Sequence, residues 1–439
     1  MRVIALIDGE HHPPVVRDAL DRLAAEHEIV SVLFVGGGEK VSAAVLADPR
    51  AHYGRDVVVG SELPSVDADG VFDLSGEPVL TLDRRLALAA VTLDRGLEYH
   101  APGLRLTPPP RERIASAVPI VAVIGTGKRT GKTAVAGAVA RLAASMDLAP
   151  IVVAMGRGGP PEPEVAEAGS VDLARLLELV REGRHAASDY LEDALTTGVT
   201  TVGARRAGGG LAGGPWASNV REAAELAAAR DPGLVILEGS GAAVPPVPWD
   251  AGVLVVPASA PPEYLGGYLG PFRLLLSDLV VFTMAADPDQ GSENLSALRS
   301  HLQRFHGDAR HVVTDLSPVP LADVQGRRAF FATTAPMAVA ERQVRHLEAV
   351  SGCTVVGWSA RLADRAGLMH DLDEADDYDV LLTELKAAAV DFACERAIGR
   401  GAEVVFVDNR VVAIEGEINL DVALREVVEV ARQRGGDRH

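Results

Sequence analysis

A glycine-rich run that ends in lysine and threonine, GTGKRTGKT at residues 125–133, is the part of the sequence best suited to phosphate chemistry. The backbone N–H groups of such a turn can surround an anion, and the N-terminus of a following helix adds its positive dipole. In this pattern Lys132 would reach the β- and γ-phosphates of a nucleoside triphosphate, and the Thr133 hydroxyl would bind Mg²⁺. The nucleotide-binding residues predicted here are Gly125, Thr126, Gly127, Thr130, Gly131, Lys132 and Thr133.

The spacing of this run differs from the usual phosphate-loop pattern, G-x-x-x-x-G-K-[ST]. Thr126 stands where the first glycine is expected, and Gly125 comes one residue earlier. The longer loop resembles that of the dethiobiotin synthetase branch of P-loop proteins. A glycine-rich turn without a ligand is the alternative. The apolar run VPIVAVIG before the turn and the alanine-rich helical pattern after it favour phosphate binding.

An acidic residue, Glu238, ends the apolar run LVILE and is followed by a small-residue turn, GSG. Because the carboxyl ends of parallel strands meet at one edge of a sheet, a carboxylate there can reach a metal bound beside the phosphate loop. The EGSG sequence also resembles the EGAG of dethiobiotin synthetase. Alone, an acid before a glycine turn is often only a solvated cap. Together with the loop, it predicts a Mg²⁺ site made by Thr133 and Glu238.

Lysine is rare in this sequence, because only four of the 42 basic residues are lysine and the others are arginine. A chain that uses arginine for general positive charge is expected to keep lysine where only a compact ammonium fits. The alternative is a compositional bias that left four scattered lysines. We predict a catalytic charge clamp formed by Lys128, Arg129, Lys132 and Lys386. We also predict a second group of substrate contacts, formed by Arg157, Arg205 and Arg206.

Polar residues also follow the first two predicted strands, at the positions where open α/β sheets bind ligands. The segment IDGEHHPP places four of them after the first strand, and GGGEK adds one after the second; they are Asp8, Glu10, His11, His12 and Lys40. A polar turn with a helix cap is the simpler interpretation. Contact with an anionic substrate is the functional one.

A further polar pair lies near the C-terminus, where TELKAAAVD places Glu384 and Lys386 at the start of a predicted helix. A structural ion pair and a substrate role are equally supported by the pattern, and the scarcity of lysine favours the substrate role.

The elements that carry these residues alternate between apolar strands and helical patterns, which predicts an α/β fold. Residues 1–110 form a small parallel unit that ends at three consecutive prolines, which neither a helix nor a central strand accommodates. Residues 111–317 contain strands that are apolar throughout, as in a doubly wound sheet, and carry the P-loop. Residues 318–439 repeat the α/β pattern as a third unit.

Composition restricts the expected partners and surroundings. The formal net charge of −19 disfavours nucleic acid and anionic lipid as partners. No apolar run reaches the roughly 18 residues that a membrane span needs, and no signal-peptide core follows the N-terminus. Two cysteines, Cys353 and Cys394, fit a reducing compartment as inert core residues. We expect a cytoplasmic protein, with a homodimer as the default assembly.

The segment after a late strand bears on the choice of nucleotide. GTP-specific P-loop proteins carry an N-K-x-D motif there, whereas here LVVFT is followed by MAADPD, residues 284–289, which lacks that lysine. ATP is therefore the predicted nucleotide.

Four segments together resemble the cyclic 2,3-diphosphoglycerate synthetase family: DGEHHPPV, GTGKRTGKT, EGSG and TELKAAAVD. They follow one another in the same order and extend over nearly the whole chain. The resemblance implies that ATP and 2,3-diphosphoglycerate give ADP, phosphate and the cyclic pyrophosphate of glycerate. Positioning and charge neutralisation would then provide most of the catalysis, with no protein nucleophile.

Two other functions stay open at this point. A 2-phosphoglycerate kinase would make 2,3-diphosphoglycerate without cyclisation, and only product analysis separates it from the cyclase. A nucleotide-driven switch or metallochaperone would need a guanine motif and soft metal ligands, and the sequence has neither.

Overall fold

The apolar runs form buried strands and the amphipathic runs form helices in a computed structural model, which describes residues 1–286, 291–415 and 418–437. The described chain divides into two units. The first consists of Met1–Pro109, Pro261–Leu276 and Leu298–Gly307, and the second of Pro110–Ala260, Ser277–Ala297 and Asp308–His439.

The N-terminal segment of the first unit alternates strands and helices. Its strands are β1 (Arg2–Ile7), β2 (Glu28–Phe34), β3 (Val58–Val59), β4 (Gly70–Asp73), β5 (Glu98–Ala101) and β6 (Leu104–Leu106). Its helices are α1 (Pro13–Glu26), α2 (Ala43–Ala47), α3 (Pro49–Tyr53) and α4 (Leu82–Asp94).

The sheet of this unit has the order β3-β2-β1-β4-β5-β6 and is parallel except for the pair of β5 with β6. The chain winds from β1 to one side through β2 and β3, then returns to the other side of β1 with β4. The strand order therefore reverses between β1 and β4, and open α/β sheets bind ligands at such a switch point.

The second unit begins with the P-loop segment. Its strands up to residue 320 are β7 (Ile120–Gly125), β8 (Ile151–Gly156), β9 (Glu164–Ala166), β10 (Thr201–Ala207), β11 (Ala217–Ser218), β12 (Val235–Glu238), β13 (Ala251–Pro257), β14 (Leu279–Thr283) and β15 (Arg310–Pro320). The helices of the second unit in the same stretch of chain are α5 (Lys132–Ser145), α6 (Leu173–Arg181), α7 (Asp189–Thr197) and α8 (Val220–Ala228). Two further helices, α9 (Glu263–Gly266) and α10 (Gly270–Leu275), belong to the first unit, and α11 (Gly291–Phe305) begins in the second unit and ends in the first.

The C-terminal segment continues the alternation of strands and helices. Its strands are β16 (Arg328–Ala332), β17 (Thr354–Ser359), β18 (Val380–Thr383) and β19 (Glu403–Glu415). Its helices are α12 (Met337–Ser351), α13 (Arg365–Glu374), a π-helical turn (Ala389–Cys394), α14 (Glu395–Gly399) and α15 (Leu420–Gly436).

One sheet runs through the whole second unit in the order β11-β10-β8-β12-β7-β13-β14-β15-β19-β18-β16-β17. The strands from β10 to β15 are parallel to their neighbours in this order, and the strand that precedes the P-loop, β7, lies between β12 and β13. The predicted α/β class with a P-loop sheet is confirmed. Every residue of β7 is buried, as its apolar sequence predicts.

The C-terminal segment continues this sheet. Strand β19 pairs antiparallel with β15 and parallel with β18, so it joins the two groups of strands. The proposed domain boundary at residue 317 falls inside β15. Helix α15 returns to the P-loop strands, where its buried Leu424 and Val428 join a core with Val121, Val139 and Val253.

Two further observations concern membrane-spanning helices and the cysteines. None of the helices in the described part of the chain combines the length and the apolar content needed to cross a lipid bilayer. Cys353 and Cys394 are both free and buried, and burial raises the pKa of the Cys394 thiol to about 12.

Candidate functional site

The P-loop is the turn between the end of β7 and the start of α5. Gly131 caps the helix with a φ of +88°, a backbone conformation that favours glycine. Gly125 is needed for space, because a Cβ there would lie 2.8 Å from the Thr130 hydroxyl and 3.0 Å from the Lys132 side chain. The glycine that comes one residue early in the sequence thus makes room for the lysine of the loop.

Lys132 lies inside this loop with only 7% of its surface exposed. Its ammonium donates hydrogen bonds to the Gly127 carbonyl, at 2.7 Å, and to the Thr130 hydroxyl, at 3.1 Å. Burial lowers the pKa of Lys132 to about 8, although the nearby carboxylates of Glu238 and Asp189 oppose this shift. A buried ammonium whose contacts are neutral oxygens is well prepared to receive an anion.

The loop is also held from behind by β14. The Thr283 hydroxyl, which is fully buried, donates a hydrogen bond of 2.7 Å to the Thr130 carbonyl. This bond satisfies a backbone acceptor of the loop without using the N–H groups that would face a phosphate.

The predicted metal ligands come together at the neighbouring strand end. β12 pairs with β7, so Glu238 lies beside the loop, and its Oε1 accepts a hydrogen bond of 2.7 Å from the Thr133 hydroxyl. Its Oε2 is buried without a hydrogen-bond partner among the described residues. Burial is the main cause that raises the pKa of Glu238.

A carboxylate that the sequence reasoning missed, Asp193 of α7, lies against Glu238. It is 1% exposed, and neither of its oxygens has a hydrogen-bond partner within the described ranges. Burial and the Glu238 charge raise its pKa well above the ordinary value. Two buried, incompletely satisfied carboxylates beside a threonine hydroxyl fit a divalent cation, which would compensate their charge.

A search of the described residues for three or more His, Cys, Asp or Glu side chains arranged around one point finds no such metal cluster. Mg²⁺ does not require one, because it is usually bound through one or two carboxylates together with phosphates and water.

Basic side chains are exposed on the loop and near the carboxyl ends of two other strands of the same sheet. Lys128 and Arg129 are exposed on it, and Arg157 and Arg205 are exposed at the ends of β8 and β10. The side chains of these four residues form no hydrogen bond or ion pair within the described part of the chain. Uncompensated cations at one sheet edge provide the charge that an anionic ligand requires.

The EGSG turn is tied to two of the predicted arginines. Arg206 donates to the Ser240 carbonyl, at 2.7 Å, and to the Ser240 hydroxyl, at 3.2 Å. A Cβ at Gly241 would lie 2.5 Å from the Arg157 guanidinium, and Gly241 has a φ of +61°. The turn after Glu238 therefore brings both guanidinium groups towards the loop region.

The segment around Lys386 differs from the sequence expectation. Glu384 and Lys386 do not begin a helix; they follow β18, and the π-helical turn starts only at Ala389. The reason is that the buried run VLLT continues the sheet to residue 383. The two residues also do not form the ion pair that was the alternative to a substrate role, since Lys386 pairs with Glu192 of α7, with 3.2 Å between Nζ and Oε1.

Glu384 is 3% exposed and accepts hydrogen bonds with both of its oxygens. Oε1 accepts from the Thr333 hydroxyl, at 3.0 Å, and from the Asn409 side chain, at 2.8 Å. Oε2 accepts from the backbone N–H and the hydroxyl of Thr334, at 3.1 and 2.9 Å. Burial raises the pKa of Glu384, but the nearby Lys386 charge and these hydrogen bonds together lower it below the ordinary value.

The acidic residues of α7 could have been found from the sequence. SDYLEDAL places Asp189, Glu192 and Asp193 three and four residues apart, which puts them on one side of a helix. Three acids on one side of a partly buried helix are a sequence signal of the same kind as the rare lysines. Asp189 and Lys386 also affect each other's pKa.

The first unit has its own cluster at the switch point. Asp8, directly after β1, is fully buried, and its Oδ1 accepts from the backbone N–H groups of Glu10 and His11, at 3.0 and 3.2 Å. The same oxygen lies 2.8 Å from His11 Nδ1, and Oδ2 accepts from the Gly76 N–H that follows β4. His11 keeps 43% of its side chain exposed, and His12 is exposed at the N-terminus of α1.

The loop after β2 packs against this cluster. Gly9 and Gly36 are joined by a backbone hydrogen bond of 2.8 Å, and a Cβ at Gly9 would lie 2.3 Å from the Gly37 carbonyl oxygen. The Lys40 N–H donates to the Gly9 carbonyl at 2.8 Å, while its ammonium pairs with the neighbouring Glu39. Lys40 and the residues 8–12 therefore lie at one edge of the small sheet.

The segment on which the choice of ATP over GTP depends is only partly visible. Residues 284–286 are described, whereas residues 287–289 lie outside the described residues.

Comparison with known proteins gives a consistent result. Three domain profiles of cyclic 2,3-diphosphoglycerate synthetase match the chain: the N-terminal domain at residues 2–107, the P-loop domain at 120–315 and the C-terminal domain at 320–410. A cyclic 2,3-diphosphoglycerate synthetase from Rubrobacter xylanophilus is 43% identical, with 100% of both chains covered. Another from Methanothermus fervidus is 39% identical, with 98% of this chain and 97% of the relative covered.

A solved structure was also matched, that of LpxK from Aquifex aeolicus in complex with ATP. It is 15% identical, with 79% of this chain and 96% of that chain covered and a TM-score of 0.42. A similarity of this size supports no functional argument.

Proposed function

Because the chain belongs to the cyclic 2,3-diphosphoglycerate synthetase family, we propose that it uses ATP to close 2,3-diphosphoglycerate into a ring, giving ADP, phosphate and cyclic 2,3-diphosphoglycerate. The enzyme is a ligase that forms a phosphoanhydride bond. The observation that carries this proposal is the P-loop, whose buried Lys132 and Thr133–Glu238 pair adjoin cationic side chains without carboxylate partners.

The reaction balances as two displacements. An oxygen of one substrate phosphate attacks the γ-phosphorus of ATP, the bond to ADP breaks, and a linear pyrophosphoryl intermediate forms. An oxygen of the other substrate phosphate then attacks the phosphorus nearer the glycerate, and inorganic phosphate leaves. With fully ionised substrates, one proton is taken up, because the leaving group departs as hydrogen phosphate. Every bond is made between substrates, so no protein nucleophile takes part.

Charge neutralisation is the main task of the protein in this scheme, because ATP and 2,3-diphosphoglycerate together bring many negative charges into one site. Lys132 contacts the transferring phosphoryl group from inside the loop, while Lys128, Arg129 and Lys386 complete the charge clamp around it. Arg157, Arg205 and Arg206 are the further substrate contacts. Fixed cations of this kind stabilise a transition state without reorganisation during the reaction.

Mg²⁺ belongs to this proposal as the cofactor held by Thr133 and Glu238. When bound, it supplies additional neutralisation of the phosphate charge. The buried and incompletely satisfied oxygens of Glu238 and Asp193 support this assignment.

Further parts of the proposal concern the remaining predicted contacts. Asp8 and Glu10 shape the turn in the first unit from which His11, His12 and Lys40 bind a phosphorylated glycerate. Glu384 supports the segment that carries Lys386, since both of its oxygens are already bonded within the protein. We also propose that the enzyme is cytoplasmic, prefers ATP and forms a homodimer. Light scattering of the purified protein would test the homodimer.

Product analysis tests the central proposal. Phosphorus NMR of a reaction with ATP and 2,3-diphosphoglycerate should show the two phosphorus atoms of a ring pyrophosphate in addition to ADP and phosphate. A parallel reaction with 2-phosphoglycerate tests the kinase alternative. Formation of linear 2,3-diphosphoglycerate in the second reaction, without a ring product in the first, would overturn the cyclase assignment.

A further inference from the structure

The ion pair of Lys386 with Glu192 joins two segments that are far apart in the chain. Glu192 belongs to α7, and the next residue, Asp193, lies against the proposed Mg²⁺ ligand Glu238. Lys386 follows β18 in the C-terminal segment. The two side chains differ in accessibility: 12% of the Glu192 side chain is exposed, compared with 36% of Lys386. The Lys386 side chain is therefore the more exposed partner of the pair, and Glu192 is the more buried one.

The backbone that carries Lys386 is unusual. Ala387 has a φ of +48°, a conformation that residues other than glycine rarely adopt, and the next turn of chain, Ala389–Cys394, is π-helical. Both features cost free energy that the surrounding structure must offset, and π-helical turns are frequent at functional sites. On the other side of Lys386, the four hydrogen bonds of Glu384 hold the end of β18 in place. The lysine is thus presented by a firmly built segment.

Asp189 links this segment to the P-loop. Its carboxylate lies near the end of β8, since a Cβ at Gly156 would be 3.5 Å from Oδ2. The residue is exposed, but its carboxyl group is closely surrounded by protein, and this desolvation raises its pKa. The charges of Lys386 and Lys132 both act against this rise. Asp189 is therefore within electrostatic range of both Lys386 and the P-loop lysine, Lys132.

Glu192 is better placed to hold a cation than to bind an anionic substrate directly. A carboxylate next to a phosphate would repel it, so acids in a site for anions must act through a cation. Lys386 is the cation in ion-pairing distance of Glu192.

We propose that Glu192 is a positioning residue, which holds the Lys386 ammonium near the P-loop so that it can bind a phosphate of the glycerate substrate. This inference rests on the proposed function, because it assigns Lys386 to the same site. It predicts that Glu192 matters for the glycerate substrate and only when Lys386 is present.

A double-mutant cycle tests this inference with Glu192→Gln, Lys386→Met and the two combined. Burial raises the pKa of Glu192 to about 7, so the neutral glutamine should be tolerated in the fold. Glu192→Asp is a second variant that keeps the charge but shortens the reach. The control is Glu178→Gln on α6, which breaks an exposed ion pair with Arg175 elsewhere in the same unit.

Cyclic product formation by the unsubstituted enzyme is measured first and tests the proposed function alone. We then expect Glu192→Gln to lower kcat/KM for 2,3-diphosphoglycerate by about tenfold or more, with an unchanged KM for ATP. In the Lys386→Met background the same change should have no further effect, Glu192→Asp should be intermediate, and Glu178→Gln should behave as the unsubstituted enzyme.

Calorimetric binding of 2,3-diphosphoglycerate to each variant provides a readout that does not require turnover. If the enzyme forms no ring product, the proposed function fails, while the dependence of binding on Glu192 and Lys386 remains measurable. Equal fold losses from Glu192→Gln with and without Lys386 would overturn the inference. So would an equal effect on the kinetics of ATP and of the glycerate substrate, because both results would indicate a purely structural role.

Discussion

Lys132 is buried in a loop where its hydrogen bonds go to neutral oxygens, and none of the described carboxylates lies within ion-pairing distance of it. An ammonium in this position is unfavourable for the empty protein, as its lowered pKa indicates. The arrangement is explained by a ligand that brings negative charge into the loop. The same reasoning applies with opposite sign to Glu238 and Asp193, whose unsatisfied oxygens support the proposed Mg²⁺ site.

Lys132→Ala should reduce turnover by on the order of a thousandfold, because it removes the charge that follows the transferring phosphoryl group. The fold should stay intact, since the ammonium contributes no ion pair to it. Steady-state turnover and the thermal midpoint are measured, with Arg432→Ala on the exposed side of α15 as the control. Near-normal turnover in the Lys132 variant would contradict the P-loop assignment.

Glu238→Gln should weaken the Mg²⁺ dependence of the reaction, with a half-saturating Mg²⁺ concentration about tenfold higher, because the shape is kept while the carboxylate charge is lost. The measurement is a Mg²⁺ titration of turnover and, separately, of nucleotide binding. Asp172→Asn, at the exposed N-terminus of α6, is the control. An unchanged titration would show that another acid holds the metal, and Asp193→Asn would then be examined.

Lys40→Arg tests whether the rare lysines were kept for their shape. The change preserves the charge but replaces a compact ammonium by a larger planar group, and a displacement of about 1 Å in a substrate clamp can reduce the rate about a hundredfold. Stability should hardly change, because Lys40 is exposed. Turnover and KM for 2,3-diphosphoglycerate are compared with those of Arg432→Lys. Full activity would favour a compositional origin for this lysine.

At the scale of single elements, the P-loop depends on a strand, a turn and a helix that follow each other in the chain. Helix α5 buries Val135, Ala136, Val139, Ala140 and Ala143, which are spaced to face one side. The buried β7 needs no polar alternation because both of its faces are covered. The loop is also stabilised by a hydrogen bond from Thr283 of β14. The sequence around the loop does not indicate that β14 lies next to it.

Thr283→Val should loosen the P-loop. The substitution keeps the side-chain volume but leaves the Thr130 carbonyl without its hydroxyl donor, which should lower the free energy of unfolding by about 1–2 kcal/mol and raise KM for ATP. Urea unfolding and steady-state kinetics are compared with those of Thr314→Val. The buried Thr314 hydroxyl donates to the Phe282 carbonyl at 3.0 Å, within the sheet. Thr314→Val should show a similar loss of stability with an unchanged KM; an equal KM change in both variants would contradict a specific support of the loop.

At the scale of the whole molecule, the second unit is built around one continuous sheet. β15 and β19 carry it from the P-loop strands into the C-terminal strands, and α15 brings the end of the chain back to the core beside β7 and β13. A C-terminal segment that shares sheet and core in this way should influence the stability of the nucleotide site. The division at residue 317 falls inside β15 and remains a prediction for the folding of the chain.

Val428→Ala should destabilise the second unit by about 2 kcal/mol, because it removes buried methyl groups from the core that α15 shares with the P-loop strands. The same substitution at Val422, which is 49% exposed, controls for the change in helix propensity and should have little effect. Urea unfolding and the thermal midpoint are measured for both variants, with saturating nucleotide as a further condition. Equal stability of the two variants would show that α15 does not belong to the core of the folded enzyme in solution.

The sequence by itself determined the P-loop, the Thr133–Glu238 pair and the polar turn at residues 8–12. These parts depend on short stretches of chain and on one general rule, that the carboxyl ends of parallel strands meet at a common edge. Glycine spacing, apolar runs and helix periodicity are local properties and can be read directly. The α/β class followed from the same information.

Only the tertiary structure decided which distant charges meet. Lys386 pairs with Glu192 instead of its neighbour Glu384, and Glu384 instead bonds Thr333, Thr334 and Asn409. Asp193 reaches Glu238 because α7 packs beside the P-loop helix α5. Helix α15 packs on the P-loop strands, although these strands lie far from it in the sequence. The physical reason is that strand order and helix packing depend on the total apolar surface that can be buried, which no single segment contains.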